Sequence, residues 1–250
     1  MAILIHGLAM GTFLGLGYLF PRDKEQAFLN RDMFINIATG IGIFVVTFHA
    51  MAAVRANLEM HLFSLPLNAE WQQFLVAFVL LDLARYWLHY AHHRVPWLWR
   101  FHRVHHSAEQ LDSTTGLRMH IFDFFQLAMI PILLFGVLID TTSFTDWVIP
   151  AALAVGVFFD SFAHANLKHN FNNPFWRAWG KFLNNPHFHV WHHTRVAREF
   201  YGNFGNVLLI WDRMFGTVVT EPRLPDEIGI SAEQALKNDP VSLQLLTLRS

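Results

Sequence analysis

The sequence predicts an all-α fold: an integral membrane bundle of about four to five hydrophobic helices with a cytoplasmic helical cap that holds a histidine-rich di-metal site. Three observations support this prediction. The chain of 250 residues is 53% hydrophobic and only 15% charged, whereas soluble domains are about 25% charged. Long stretches contain no charged residue. The pentad His-x-x-His-His occurs three times, and 13 of the 16 histidines lie between positions 89 and 193.

The hydrophobic stretches predict the helices in order. Residues 2–20 and 33–54 contain no Asp, Glu, Lys or Arg, and each is close to the roughly 20 apolar residues that a membrane-spanning helix needs. The first is expected to be an anchor, because it has neither the basic start nor the cleavage site of a signal peptide. A third candidate, 71–90, contains Asp82 and Arg85.

Two further stretches, 124–139 and 147–167, are shorter or are interrupted by Asp160. The compact turn between them predicts a helical hairpin, which either spans the bilayer or inserts less deeply. The alternative for 147–167 is a buried helix of a soluble core.

The distribution of basic residues predicts the orientation of these helices. If 71–90 ends in the cytoplasm, segments 21–32, 89–120 and 164–250 are cytoplasmic and contain 3, 4 and 9 Lys and Arg. The opposite segments, 55–69 and 140–146, contain 1 and 0. This is the positive-inside pattern of membrane proteins, and it places all three pentads on the cytoplasmic side.

We expect three parts along the chain: anchor helices over 1–70, a histidine-rich domain over 71–220 and a polar C-terminal tail over 221–250. One helix is predicted to end near Pro96 and another to begin at Pro186, because proline disrupts a helix interior but suits its first turn. The net charge of −1, without a long run of like charge, argues against a nucleic-acid partner. The absence of cysteine excludes disulfides and thiolate metal sites.

The pentads are the candidate metal ligands. Imidazole is the commonest protein ligand of Zn, Fe, Cu and Ni, and positions i, i+3 and i+4 lie near one face of a helix. Three such faces supply more nitrogen atoms than one ion can bind, so the sequence predicts two metal ions. The pentad histidines are His89, His92 and His93; His102, His105 and His106; and His189, His192 and His193.

Further histidines surround the pentads. His164 and His169 are expected to bind metal, because they lie at the cytoplasmic end of the last hydrophobic stretch. His92 and His187 lie off the faces of their own clusters, and His120 stands alone. Each of these three is a candidate for a ligand, for a residue that supports a ligand or for a structural residue.

Asp82 and Tyr86 lie close to the helix face of His89, two turns and one turn before it. A carboxylate inside a membrane helix is costly and indicates function. We expect Asp82 to accept a hydrogen bond from a metal-bound imidazole, with an ion pair to Arg85 as the alternative. Tyr86 is expected to orient or tune the metal site.

The donor set also narrows the choice of metal. Many imidazoles with few carboxylates do not suit Mg or Ca, which prefer oxygen. Structural zinc sites are usually rich in cysteine, and catalytic zinc takes about three protein ligands. Two iron ions with open positions for O₂ fit the donor count; manganese stays open, as does zinc, which can also replace iron in a purified protein.

A histidine-rich metal-ion transporter or metal-storage protein is the alternative function. Transport favours ionisable residues spread over several spans near the bilayer centre. The predicted clusters lie at the cytoplasmic ends of the helices instead, which argues against this alternative.

The pentads and their neighbours resemble the fatty acid hydroxylase/sterol desaturase superfamily over roughly residues 75–220, which include most of the histidine-rich domain. The resemblance rests on these segments: Asp82-Leu-Ala-Arg-Tyr-Trp-Leu-His89-Tyr-Ala-His-His93; Pro96-Trp-Leu-Trp-Arg-Phe-His102-Arg-Val-His105-His106-Ser; Thr115-Gly-Leu-Arg118-Met-His120; Pro186-His-Phe-His189-Val-Trp-His192-His193; and Asn203-Phe-Gly-Asn-Val-Leu-Leu-Ile-Trp-Asp-Arg-Met-Phe-Gly216-Thr.

The resemblance implies an O₂-dependent di-iron enzyme that hydroxylates or desaturates a lipid, such as a fatty acyl chain or a sterol. After His120 the sequence departs from the family pattern, since Ile121 replaces a proline, while Asp123 stands for the family's acidic residue. No cytochrome b5 domain is fused to the chain, so a separate electron donor, cytochrome b5-like or ferredoxin-like with its reductase, is expected. The iron ligands implied by the family are His89, His93, His102, His105, His106, His189, His192 and His193, with further histidines where His164 and His169 stand.

Overall fold

The computed structural model describes residues 2–56, 60–168, 170, 173–195 and 201–248, apart from the side chains of 2–3, 46–53 and 55–56. The described chain is mostly helical. Its α-helices are α1 Ala2–Leu19, α2 Arg31–Ala56, α3 Glu70–Arg94, α4 Pro96–His106, α5 Ile121–Ile132, α6 Val148–His164, α7 Pro174–Trp179, α8 Pro186–His192, α9 Ile210–Phe215 and α10 Pro240–Gln244.

Shorter elements connect these helices. Two 3₁₀ turns cover Thr115–Leu117 and Ala232–Gln234, and a π-helical turn, Leu133–Leu138, continues α5 beyond Pro131. Two-residue strands β1, Phe63–Ser64, and β2, Ile139–Asp140, pair in parallel. Pro131 donates no backbone hydrogen bond inside α5, and the helix changes type two residues after it.

Two described helical segments are long and apolar enough to cross a membrane, namely Glu70–Arg94 and Ile121–Leu138. Two shorter apolar helices, Leu4–Leu19 and Val148–His164, accompany them. The predicted stretches 2–20 and 33–54 form α1 and α2, as expected for helices; that they span the bilayer stays a prediction. Large apolar side chains are exposed along both, including Leu4, Leu8, Phe34, Ile41 and Val45.

Proline fixes the two helix boundaries nearest the pentads. α3 ends at Arg94, and Val95 has extended backbone angles and caps both α3 and α4. Pro96 then occupies the first position of α4, where its missing N–H costs nothing. Pro186 opens α8 in the same way, after Asn185 caps the helix with its side-chain oxygen. Both predicted boundaries are confirmed.

α6 occupies the centre of the bundle, where it packs against α1, α3 and α8. α2 packs against α5 and against the turn Thr115–Leu117. The largest apolar core lies between α3, α6 and the end of the π-helical turn, and it includes the buried residues Ala77, Leu81, Phe135, Val148 and Ala152. This core joins the N-terminal halves of α3 and α6, at the ends of these helices that lie away from their histidines.

The polar C-terminal segment packs onto the helices. Leu236 and Leu243 are buried against Ile35 and Val104. Gln244 accepts a hydrogen bond from the backbone N–H of Ile121 and donates one to the carbonyl of Met119. The predicted tail therefore belongs to the packed body and supports the start of α5.

Candidate metal centre

The pentads converge on two adjacent clusters of imidazole groups. In each cluster the candidate ligand atoms lie within 4.8 Å of one another. The five-histidine cluster contains His89 and His93 of α3, His102 and His106 of α4, and His192 of α8. The four-histidine cluster contains His105 of α4, His164 of α6, His189 of α8 and His193, which caps α8.

Helix geometry divides each pentad between different partners. Residues i and i+4 lie about 40° apart around a helix, whereas residue i+3 lies about 60° to the other side of residue i. His102 and His106 accordingly join the five-histidine cluster, and His105 joins the four-histidine cluster. In the third pentad, His189 and His193 belong to the four-histidine cluster, and His192 belongs to the five-histidine cluster.

The Nδ1 atoms of five cluster histidines contact oxygen atoms. A backbone carbonyl can only accept a hydrogen bond, so Nδ1 carries the proton and the Nε2 lone pair is left for a metal. The oxygen partners are Phe204 O for His89 (2.9 Å), Asp123 Oδ2 for His102 (2.9 Å), Arg118 O for His105 (3.3 Å), Asp160 O for His164 (2.8 Å) and Gly202 O for His192 (2.8 Å).

The nitrogen atoms that face the cluster interiors fit metal ions. The Nε2 atoms of His89, His102 and His192 and both ring nitrogens of His193 are buried and have no hydrogen-bond partner among the described residues. Histidine nitrogens bind metals at about 2.0–2.1 Å, so neighbouring ligand nitrogens lie about 3 Å apart. His164 Nε2 lies 2.9 Å from His189 Nε2 and 3.2 Å from His105 Nε2.

Burial keeps these imidazoles neutral, which is the form that binds metal. Removal from water, followed by the neighbouring histidines, holds the pKa well below its usual value for His102, His105, His106, His189 and His193. Burial likewise lowers the pKa of His192, although its hydrogen bond to Gly202 opposes the shift. The centre is therefore prepared to bind cations at neutral pH.

Asp123 is a carboxylate that forms a hydrogen bond with this centre. It accepts from His102 Nδ1 and lies 3.5 Å from His92 Nε2. The His92 ring stacks on His102 at 4.7 Å between centroids, and its Nε2 also contacts Gln126 Oε1 at 3.0 Å. His92 thus supports a cluster histidine. In the sequence, only the motif position of Asp123 after His120 pointed to this residue.

Asp82 does not contact an imidazole, contrary to expectation. Its oxygens accept from the backbone N–H groups of Val207 and Leu208 and from the indole of Trp211. The alternative also differs from the structure, because Arg85 pairs with Asp160. Asp82 therefore fastens the segment 202–217 to α3, and the physical reason is that two backbone N–H groups satisfy a buried carboxylate.

Tyr86 also contacts the segment 202–217. Its hydroxyl contacts Thr217 Oγ1 at 2.9 Å, and Thr217 donates to Asp212. Asp212 accepts from the N–H of Phe204, whose carbonyl contacts His89. Burial raises the pKa of Asp212 to about 6. Tyr86 is thus linked to the cluster through a chain of hydrogen bonds and does not face the cluster interior.

His120 and His187, two further candidates, lie outside both clusters. His120 caps α5: its Nδ1 accepts from Phe122 N–H and its Nε2 donates to the carbonyl of Gln244. His187 Nε2 donates to the carbonyl of Glu221 at 2.6 Å. Both are structural in these contacts. His169 lies outside the described residues.

An apolar cavity of about 530 Å³ approaches the centre, although no cluster histidine lines it. Its walls come from α1, α2, α3, α5, α6 and the turn Thr115–Leu117. Asp160 and Arg85 line one end of it, each one helical turn before a cluster histidine, His164 and His89 respectively. The cavity is within the range of about 300–1,000 Å³ typical of ligand sites.

Two adjacent histidine clusters in a helical fold with membrane-length helices define a class of histidine-rich, metal-binding membrane proteins. The chain belongs to the fatty acid hydroxylase family, whose model matches residues 74–217. This match covers all three pentads and confirms the superfamily that the sequence resembles.

Curated relatives agree with the family. Alkylglycerol monooxygenase of Danio rerio is 31% identical over 65% of this chain and 34% of its own length. Ornithine lipid hydroxylase OlsE of Rhizobium tropici is 30% identical over 65% of this chain and 47% of its own length. Cholesterol 25-hydroxylase of Mus musculus is 29% identical over 66% and 52%. The chain therefore spans a third to a half of the length of these relatives. No solved structure matches it.

Proposed function

We propose that this protein is a membrane-bound, O₂-dependent di-iron oxidoreductase that hydroxylates or desaturates a lipid. The observation that carries the proposal is an apolar cavity whose lining residues Arg85 and Asp160 each lie one helical turn before a histidine of the two clusters. The names of the relatives describe hydroxylation or monooxygenation of lipids and sterols, in agreement with a lipid substrate.

The nine cluster histidines would hold the two ions, with His89, His93, His102, His106 and His192 around one and His105, His164, His189 and His193 around the other. Bound iron would supply the reduction of O₂ and the removal of hydrogen from an unactivated C–H bond. Asp123 and the carbonyls of Phe204 and Gly202 orient the imidazoles from outside. The described donors provide almost no oxygen ligand, which disfavours Mg and Ca.

The apolar cavity would bind the hydrocarbon part of the substrate. Its lining includes Phe78, Leu81, Leu127, Ala152 and Val157, which exclude water and contact methylene groups through dispersion. The exposed apolar faces of α1 and α2 would lie in the bilayer, so the substrate would enter from the membrane. The centre would face the cytoplasm, where a separate electron donor delivers the electrons.

Purified protein loaded with ferrous iron tests the proposal. In the presence of O₂, a chemical reductant and a total lipid extract, we expect O₂ consumption and a lipid product heavier by one oxygen atom or lighter by two hydrogen atoms. His105→Ala is expected to abolish both signals without loss of membrane insertion. His61→Ala is the matched control, because His61 is exposed and outside both clusters.

Two results would contradict this function. Unchanged lipid oxidation in His105→Ala would remove the four-histidine cluster from catalysis. A transporter would be favoured if the protein moved metal ions across the membrane of sealed vesicles and the same preparation oxidised no lipid.

A further inference from the structure

The ion pair of Arg85 and Asp160 lines the otherwise apolar cavity. Among its 25 lining residues only His6, Asp82, Arg85 and Asp160 have ionisable side chains. Asp82 already accepts three hydrogen bonds from the segment 207–211. Arg85 and Asp160 are therefore the charged pair that a ligand in this cavity can contact.

The pair lies at the end of the cavity nearest the histidine clusters. Arg85 precedes His89 by four residues on α3, and Asp160 precedes His164 by four residues on α6, so each charge is about 6 Å along its helix from a cluster histidine. His6 lies elsewhere. α1 runs beside α6 in the same direction, with Phe13 against Phe162, which places His6 about 10 Å further from the clusters than Phe13.

The Arg85 guanidinium is left with hydrogen-bonding capacity. Its Nη2 lies 3.7 Å from Asp160 Oδ1, too far for a hydrogen bond. Within the described residues Arg85 donates no hydrogen bond within 3.5 Å, although its side chain is only 24% exposed. A guanidinium offers five N–H donors, and an apolar wall leaves such donors unsatisfied at a cost.

Two glycines make room for this pair. A Cβ at Gly116 would lie 1.9 Å from Asp160 Oδ2, and a Cβ at Gly156 would lie 3.0 Å from Arg85 Nη1. A side chain at Gly116 would displace the Asp160 carboxylate, and one at Gly156 would press against the Arg85 guanidinium. This arrangement keeps the two side chains at the cavity wall with a gap between them.

We propose that Arg85 and Asp160 bind a neutral hydroxyl group of the lipid substrate, an inference that rests on the proposed function. A hydroxyl oxygen accepts from the guanidinium while its hydrogen is donated to the carboxylate, so one group bridges the gap. A carboxylate or phosphate fits less well, because Asp82 and Asp160 place two negative charges around one positive charge. The substrate is therefore a long-chain alcohol or another lipid with a free hydroxyl group.

The position of the pair also locates the reaction on the substrate. A hydroxyl group held one helical turn from the clusters leaves only the carbons next to it within reach of the metals. The carbon that is oxidised lies within a few bonds of the hydroxyl group, and the far end of the chain occupies the region around Phe78, Leu153 and Pro131.

Lipid binding to the metal-free protein tests this inference without any dependence on catalysis. We would measure equilibrium binding of tritiated 1-hexadecanol to detergent-solubilised protein, with unlabelled 1-hexadecanol, hexadecane and palmitate as competitors. We expect 1-hexadecanol to compete at least about tenfold better than hexadecane or palmitate, the factor for a hydrogen bond to a charged group. Arg85→Met is expected to remove this preference, and Arg85→Lys to retain part of it.

Two matched variants complete the test. Arg100→Met removes an exposed arginine of α4 and is expected to bind like the unchanged protein, whereas His6→Leu removes the other polar group of the cavity and is expected to retain the preference for 1-hexadecanol over hexadecane. Equal binding of hexadecane and 1-hexadecanol, stronger binding of palmitate, or a preference that His6→Leu abolishes and Arg85→Met retains would each overturn the inference. Hexadecanol binding without lipid oxidation by iron-loaded protein would contradict only the proposed function.

Discussion

The two histidine clusters are built from the same motif but have different surroundings. The four-histidine cluster includes His164 of α6, one turn from Asp160 at the end of the apolar cavity. The five-histidine cluster includes His93, which lines a second cavity of about 280 Å³ together with Trp99, Tyr201 and the exposed Arg195. The clusters meet where His106 stacks on His193 at 4.4 Å between ring centroids.

The apolar cavity approaches both clusters, through Asp160 one turn before His164 and Arg85 one turn before His89, whereas the second cavity contacts a cluster through His93. The larger cavity is lined mainly by apolar groups, whereas Arg94, Thr194, Ser231 and Gln234 line the smaller one. An apolar substrate and polar co-reactants prefer different solvents. For the proposed function, separate approaches would keep water away from the C–H bond, and electrons and protons would arrive past the polar side chains of the smaller cavity.

The largest expected effect on metal content comes from removing a single histidine, in one variant from the four-histidine cluster and in another from the five-histidine cluster. His105→Ala and His89→Ala are each expected to lower the bound metal from two ions per chain to one, because each removes a donor from a different cluster. Metal analysis after gel filtration measures the ratio, with His61→Ala as the exposed control. Loss of both ions in either variant would show that the clusters bind metal as one unit.

Acidity should affect both clusters together. Their imidazoles have pKa values lowered by burial, so below about pH 6.5 the unfolded chain binds protons that the folded chain does not. The free energy of unfolding of the metal-free protein therefore falls as the pH falls through about 6.5.

Thermal unfolding in detergent after treatment with a chelator measures this effect. We expect a lower melting temperature near pH 5.5 than near pH 7.5, and a smaller difference for the metal-loaded protein. Equal melting temperatures of the metal-free protein at both pH values would mean that these imidazoles are not held neutral.

Asp123→Ala should distinguish the clusters through one hydrogen bond. The variant removes the acceptor of His102 Nδ1, and loss of such a partner typically lowers metal affinity about 10- to 100-fold. We expect weaker binding at the five-histidine cluster only, measured by titration with two-site analysis. Asp226→Ala is the control, since the Asp226 side chain is 90% exposed. Equal weakening at both clusters would contradict the assignment.

Gly116→Ala should disturb the cavity and spare the metals. Its new Cβ would displace the Asp160 carboxylate, and we expect severalfold weaker 1-hexadecanol binding, within the range for a single polar contact. Metal content should stay at the unchanged level. Gly42→Ala is the control, because a Cβ there meets no atom within 4 Å. A change in metal content would show that this turn supports the clusters directly.

Much of the local structure was predictable because it depends on nearby residues. Uncharged stretches became α1 and α2, and Pro96 and Pro186 set helix ends. Asp82 shows where such reasoning fails. Its helix face pointed to His89, but a buried carboxylate binds whichever donors the fold brings to it, and these are N–H groups more than 120 residues later in the chain.

The sequence by itself determined the number of imidazole donors and their spacing on three helices, because a period of 3.6 residues fixes which side chains share a face. Tertiary packing alone decided how the donors divide. His105 and His106 are neighbours in the chain, yet α6 supplies His164 to one and α3 supplies His93 to the other. The same packing placed Asp123 on His102 and put Arg85 beside Asp160, since contacts between distant helices depend on the whole arrangement of the core.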